Sequence, residues 1–305
     1  MRILLTGVSG YVGAALVPRL LGDGHTLRGF GRSAARVTAP VHEFVEGDAV
    51  IGTGLDAALS DVEVAYYLIH SMETLAQGAF ADRELRAAEK FAQAAQAAGV
   101  RRIVYLGGLV PQEGPLSRHL ASRLAVEESL LAAAPQSIAM RASIVIGARS
   151  RSFRFLVRLI ERLPVLALPA WRSNRTRPID GRDMLELLTR AASAPRELAG
   201  RSWDIAGPDL LSYEQLIERI ADAMLVSRPR ISLGVNMTGV ASVVAAAIAG
   251  EDVGLIGPLM ESLEHDLLPR DDGAAAAFGV RLHRFDAAVE RALRDWEQVE
   301  ELAAR

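Results

Sequence analysis

Two clusters in this chain are built of residues that handle phosphate. The first is Thr6-Gly7-Val8-Ser9-Gly10-Tyr11-Val12-Gly13, between the apolar run Arg2–Leu5 and the helix-like Ala14–Leu21. Glycine at Gly7 permits a tight turn, Gly10 lets the backbone approach a pyrophosphate, and Gly13 allows a helix to pack closely on a strand. The amides of Ser9, Gly10, Tyr11 and Val12, at the helix N-terminus, then face the anion. A glycine-rich turn that binds nothing is the competing reading, and the strand before it and the helix after it weigh against that. The second cluster is Gly29-Phe30-Gly31-Arg32-Ser33, at the end of the second apolar run. An acid there would take the adenosine ribose hydroxyl of NAD, and none stands in this stretch. Arg32 is suited to pair bidentately with a 2′-phosphate and to stack on adenine, with the Ser33 hydroxyl as a further donor, so NADP(H) is expected in preference to NAD(H). Arg36 lies on the following turn. A solvated surface arginine is the alternative for Arg32.

The elements that must position these residues alternate in type. Apolar runs of strand length occur at Arg2–Leu5, His25–Phe30, Val41–Val45, Glu63–Ile69, Arg101–Leu106 and Ser137–Met140, and a seventh is expected at Ser202–Ala206. Helical patterns lie between most of them. The clearest is Phe80–Ala98, stopped by Gly99, with Phe80, Leu85, Ala88, Phe91, Ala92 and Ala95 on one side and Arg83, Glu84, Glu89 and Lys90 expected to face water. This order predicts an α/β fold, a doubly wound parallel sheet with helices on both faces. Its ligand belongs at the carboxyl ends of the strands, where Leu68, Ile69 and His70 follow the fourth run and Leu106 and Gly107 end the fifth. Beyond Ser150 the order weakens. Phe153–Leu163 reads as helical, Pro164, Pro169, Asn174 and Pro178 mark irregular chain, Ser212 is a candidate N-cap for Tyr213–Leu225, and Asp286–Leu302 reads as a final helix. We therefore expect a dinucleotide-binding domain over residues 1–163 and a smaller, mostly helical substrate region over 164–305, with 202–206 returning to the main sheet.

The spacing G-x-x-G-x-x-G after Thr6 resembles that of extended and atypical short-chain dehydrogenases/reductases. The resemblance extends through Tyr67-Leu68-Ile69-His70-Ser71-Met72 and the segment Gly99 to Gly108, and more weakly through Pro178-Ile179-Asp180 and Ala206-Gly207-Pro208. Together these look like NAD(P)H-binding, NmrA-like atypical members. The resemblance implies that Asp48 and the neighbouring amide of Ala49 contact adenine, although an aspartate capping its own turn fits the sequence nearly as well. It also implies that the stretch through Ala142 and Ser143 lies beside the nicotinamide, with Ala142 in place of the usual proline. The family's proton relay is a Ser or Thr after the fifth strand and a Tyr-x-x-x-Lys on the next helix. Here Gly107-Gly108 and His119-Leu-Ala-Ser-Arg123 occupy those places. Either His119 exchanges the proton while Arg123, one turn on, holds the ribose or the charge, or the two form an exposed pair on the helix surface.

Composition limits the remaining classes. A chain of 305 residues with 50% apolar and 23% charged residues buries a large core, and a formal charge of −3 gives no pull toward nucleic acid or an anionic membrane, so a small molecule is the expected partner. No cysteine is present, which removes disulfides, thiolate metal sites and Cys nucleophiles and makes the cytoplasm the expected compartment. The six histidines form no H-E-x-x-H or comparable set, so no metal is expected. Val235–Gly250 is apolar but stops at Glu251 and Asp252, short of the roughly 20 residues a membrane span needs. It reads as a buried helix or a homodimer interface, with membrane association disfavoured. These features predict an NADP(H)-dependent oxidoreductase acting on a small, apolar carbonyl or enone-like compound. A non-catalytic NADP(H)-binding regulator or assembly subunit is the alternative, ahead of an isomerase or epimerase with retained cofactor.

Overall fold

Along β1 (Arg2–Thr6), Ile3 and Leu5 point to one side and Leu4 to the other, and all three are buried, so both faces of the strand must be covered. The computed structural model, which describes residues 1–69, 77–112, 116, 118–232, 262–300 and 302, shows how. Strands β1, β2 (Thr26–Gly31), β3 (Glu43–Glu46), β4 (Val64–Tyr67), β5 (Arg102–Gly108), β6 (Ile138–Ala142) and β7 (Arg201–Ile205) form one seven-stranded sheet. Its order is 7-6-5-4-1-2-3 and every neighbouring pair is parallel. The winding direction reverses between β1 and β4, which makes their carboxyl ends the crevice of a doubly wound sheet.

Helix α1 (Tyr11–Gly22) packs on one face, where its Leu16, Val17 and Leu20 join Ile3 and Leu5 in one cluster. The short α2 (Leu55–Leu59), α3 (Gln77–Ala97) and α4 (Arg118–Ala133) pack on the other, where Leu59, Phe91 and Leu130 join Leu4, Tyr67 and Tyr105. A third cluster forms apart from the sheet. It joins Phe153, Val157 and Ile160 of α5 (Arg151–Arg162) to residues of two later helices. Helix α6 (Gly181–Ala191) instead returns to the sheet, with Met184, Leu187 and Leu188 in the cluster of α1. The later partners of α5 are α7 (Tyr213–Ala223), with Leu216 and Ile220, and α9 (Phe285–Glu297), with Leu293 and Trp296. The short α8 (Gly273–Ala277) lies between them in sequence and places Ala274 against the sheet. Packing thus does not part the chain at residue 163. Helix α5, before that point, belongs with α7 and α9, whereas α6 and β7, after it, complete the sheet layer.

Element ends follow local chemistry. Strand β4 stops at Tyr67 rather than Ile69 because the Leu68 N–H donates to Thr6 Oγ1 at 2.9 Å, a side-chain acceptor in place of a strand carbonyl. Ser212 caps α7 as expected, in a reciprocal arrangement with Gln215. The last helix ends at Glu297, short of Leu302. Among the described residues no helix is long and apolar enough to cross a membrane, and Val235–Gly250 lies outside them.

Candidate functional site

The turn after β1 has the geometry its glycines allow. Gly7 lies in the left-handed region at φ +65°, and a Cβ there would stand 2.5 Å from the Leu68 carbonyl oxygen. A Cβ on Gly13 would stand 2.4 Å from the Gly7 oxygen, so the first turn of α1 packs directly on the loop. Gly10 is different: a Cβ would meet only Gly7 O at 3.2 Å, and Ser9 and Gly10 are exposed. Gly10 N-caps α1 without a side-chain hydrogen bond, and the first turn holds no acid, so no carboxylate of that turn compensates its positive end. Thr6 fixes the floor of this loop, donating from Oγ1 to the Tyr66 carbonyl at 2.9 Å and accepting the Leu68 N–H. The Gly10 N–H closes the turn on the Gly7 carbonyl at 2.9 Å, and the helix dipole with this exposed glycine suits a diphosphate.

The phenol of Tyr11 extends the loop's reach. Its Oη stands 2.6 Å from where a Cβ on Gly147 would lie and 2.7 Å from one on Gly181, so the ring is seated between two glycines more than 130 residues further along the chain. Burial, with the Asp180 carboxylate adding to it, pushes the Tyr11 hydroxyl up to about 12. The sequence reading used only the backbone of Tyr11 and Val12. Nothing in the local spacing pointed to the two distant glycines.

At the adenosine end, β2 stops at Gly31 and the exposed Arg32 follows directly, with Ser33 leading into a single 3₁₀ turn, Ala34–Arg36. An acid does stand beside this loop, supplied by the neighbouring strand. Glu46, the last residue of β3, lies in register with Gly31, and its Oε1 accepts the Ala34 N–H at 3.0 Å. A scan along β2 cannot see it, because strand register is not written in local sequence. Asp48 caps its own turn: Oδ1 accepts the Val50 N–H at 2.8 Å, and the Asp48 N–H donates to the Thr53 carbonyl at 3.1 Å. Ala49 beside it is buried.

At the other end of the crevice, Leu106, Gly107 and Gly108 close β5. A Cβ on Gly107 would lie 3.0 Å from Cε1 of Tyr105, so the missing side chain leaves room for that ring. Tyr105 is hydrogen-bonded by the side chain of Arg123, which also acts on Glu84 of α3 through its charge. Burial raises the pKa of both Tyr105 and Glu84, and Arg123 pulls both back down. Arg123 is therefore turned to a half-buried cluster between α3, α4 and β5, which corrects the reading of it as one of an exposed pair. His119 stands in the first turn of α4, its side chain outside the described residues, as is the whole of His70. Ala142 ends β6 in register with Gly108 and Ile205, and its carbonyl accepts the Leu109 N–H at 3.1 Å. The Ser143 hydroxyl pairs with that of Thr176 at 3.1 Å, and the Ser143 N–H donates to the Ile205 carbonyl. Its hydroxyl is thereby engaged with the chain's second half. The structure thus gathers Gly7, Ser9, Gly10, Tyr11, Val12, Gly13, Leu68 and Ile69 at the switch point. Arg32, Ser33, Asp48 and Ala49 follow the ends of β2 and β3. Leu106, Gly107, Ala142 and Ser143 stand at the ends of β5 and β6.

Comparison with known proteins agrees with this geometry. Residues 7–138 match a family model described as NAD(P)H-binding. A ceramide reductase of Caulobacter vibrioides is 30% identical over 172 residues, covering 54% of this chain and 52% of that protein. Subunit 9 of the mitochondrial NADH dehydrogenase [ubiquinone] 1 alpha subcomplex of Arabidopsis thaliana is 24% identical over 177 residues, 58% of this chain and 44% of that one. The match spans a third to a half of the curated relatives, from 30% to 52% of their length. Among solved structures, a short-chain dehydrogenase/reductase superfamily protein of Agrobacterium tumefaciens with bound NAD superposes with a TM-score of 0.71 at 20% identity, over 98% of this chain and 96% of that one. At that identity the likeness is one of fold.

Proposed function

We propose that the chain is an NADP(H)-dependent oxidoreductase of the atypical, NmrA-like branch of the short-chain dehydrogenases/reductases, a reading supported by the NAD(P)H-binding family model matched over residues 7–138. Its substrate on this reading is a small, apolar carbonyl or enone-like compound. The observation that carries the proposal is the open, acid-free first turn of α1 at the switch point, with Arg32 at the end of the adjacent strand. The turn through Gly7, Ser9, Gly10, Tyr11, Val12 and Gly13 would hold the diphosphate through its backbone amides other than that of Gly10, which donates to the Gly7 carbonyl. Arg32 and Ser33 would hold the 2′-phosphate, Asp48 and Ala49 would border the adenine, and Leu68, Ile69, His70, Leu106, Gly107, Ala142 and Ser143 would line the ribose and nicotinamide. The cofactor supplies the hydride. His119 is the proposed proton donor, with Arg123, one turn on along α4, as the group that holds charge. The ceramide reductase among the relatives supports an apolar substrate. We place the protein in the cytoplasm, as a homodimer, with neither nucleic acid nor membrane as partner.

Steady-state NADPH oxidation across a panel of apolar ketones, enones and quinones tests this. Turnover of at least one member is expected, with His119→Phe reducing kcat far more than cofactor affinity. A folded protein that binds NADPH and turns over nothing would favour the second reading, a cofactor-binding regulator or assembly subunit. That reading is supported by the similarity to a subunit of a mitochondrial NADH dehydrogenase. A stoichiometric partner recovered by affinity capture and released by NADP+ is its expected signature.

A further inference from the structure

The loop after β2 is bordered by two opposite charges. Arg32 follows directly on the strand, while Glu46 closes β3 in register with Gly31, and both side chains are exposed at the carboxyl edge of the sheet. Glu46 is not merely near the loop, because its Oε1 accepts the Ala34 N–H at 3.0 Å, two residues beyond Arg32. The backbone is tied at the same place, with the Gly47 N–H donating to the Gly31 carbonyl at 2.9 Å. Gly47 itself is fixed, since a Cβ there would stand 2.2 Å from the Thr53 carbonyl oxygen. The carboxylate is thereby delivered on a strand end that has little room to move.

In this class of sheet, the loop after the second strand meets the adenosine ribose, where an acid accepts the 2′-hydroxyl of NAD and an arginine receives the 2′-phosphate of NADP. Both groups are present here, from two different strands. We propose that Glu46 is a specificity-determining residue, which accepts the ribose 2′-hydroxyl of NAD(H) and opposes the 2′-phosphate of NADP(H), so that the chain uses both cofactors. The opposition has two parts. The carboxylate repels the phosphate directly, and it occupies the Ala34 amide that would otherwise be free to donate to a phosphate oxygen. Arg32 keeps NADP(H) within reach, and Glu46 moderates the preference that Arg32 alone would impose. This inference rests on the NAD(P)H-binding reading of the same loop.

Isothermal titration of wild-type protein and of Glu46→Gln with NAD+ and with NADP+, at low and at physiological ionic strength, tests it. The wild type is expected to bind both. In Glu46→Gln, affinity for NAD+ should fall and affinity for NADP+ should rise, each by about fivefold, equivalent to about 1 kcal/mol. The gain for NADP+ should shrink as salt screens the removed repulsion. Arg32→Ala should shift the ratio the opposite way. A ratio in Glu46→Gln within about twofold of the wild type, or a wild type that binds NADP+ alone, overturns the inference and leaves the cofactor site intact. A folded wild type that binds neither dinucleotide overturns both.

Discussion

Glu84 shows what one side chain adds when burial and charge oppose each other. It is only 3% exposed, its Oε2 has no hydrogen-bond partner among the described residues, and burial outweighs the attraction of Arg123, so its pKa lies above the ordinary 4.5. An acid whose folded pKa is raised contributes stability that is fully present below its unfolded pKa and lost as pH climbs through the folded value. Glu84→Gln fixes the uncharged form. The melting temperature of the wild type should therefore decline relative to that of Glu84→Gln as pH is raised from about 4 to about 8, with the two curves closest at the acid end. Thermal melts at matched ionic strength decide the matter, and parallel curves would show that Arg123 compensates the buried charge in full. Sequence spacing did not reveal this cluster. Glu84 sits in the first half of an amphipathic helix where an acid reads as solvent-facing, and only the fold brings Arg123 and Tyr105 onto it. Gly7, Gly10 and Gly13, by contrast, were legible from sequence, because the turn, the open approach and the close packing are each decided within a few residues of chain.

At the scale of elements, buried arginines hold helix ends in place. Arg102, first in β5 and 2% exposed, donates from Nη1 to the carbonyls of Ala191 (2.9 Å) and Ala192 (2.8 Å) and from Nη2 to that of Ala194 (2.6 Å). The first two are orphan acceptors at the negative end of α6 and the third lies just beyond it, and a guanidinium satisfies them as an ammonium cannot, through several fixed donors. Arg28 in β2 does the same for α2, reaching the carbonyls of Ala57, Ala58 and Ser60. Arg102→Met should lower unfolding stability by at least about 3 kcal/mol, since buried carbonyls lose charge-assisted partners, and Arg102→Lys should recover only part of it. Urea titration with an unchanged m-value is the measurement. A variant as stable as the wild type would mean that water or backbone movement satisfies those carbonyls. The strands themselves were readable from apolar run and turn, and α3 from its helical period. The roles of Arg102 and Glu46 were not, because each acts on a segment set opposite it by topology. Neighbours in sequence differ in the same way, the side chain of Arg101 being 45% exposed while Arg102 is buried.

Across the whole molecule, the nucleotide loop and the layer built by the second half of the chain meet at Tyr11. The sheet clusters and the third cluster of α5, α7 and α9 are separate hydrophobic bodies. Tyr11 opens α1 in the first, and its Oη lies against Gly181, where α6 begins after the short parallel pair of Val145–Ile146 and Ile179–Asp180. Anything that displaces the phenol must tilt the first turn of α1, whose amides aim at the diphosphate. Gly181→Ala would set a Cβ 2.7 Å from Tyr11 Oη and 3.2 Å from the Ile146 oxygen. Affinity for NADP+ should fall about tenfold, or about 1.4 kcal/mol, from a site that itself touches no nucleotide. Gly22→Ala, where an added Cβ meets nothing within 4 Å among the described residues, should leave affinity unchanged. The cause is isolated by a double variant. Removing the hydroxyl in Tyr11→Phe makes room for the new methyl, so Tyr11→Phe with Gly181→Ala should bind better than Gly181→Ala alone, a coupling that additive effects cannot produce. If titration of all four proteins gives additive losses, the phenol is not the joint through which the second half of the chain acts on the loop.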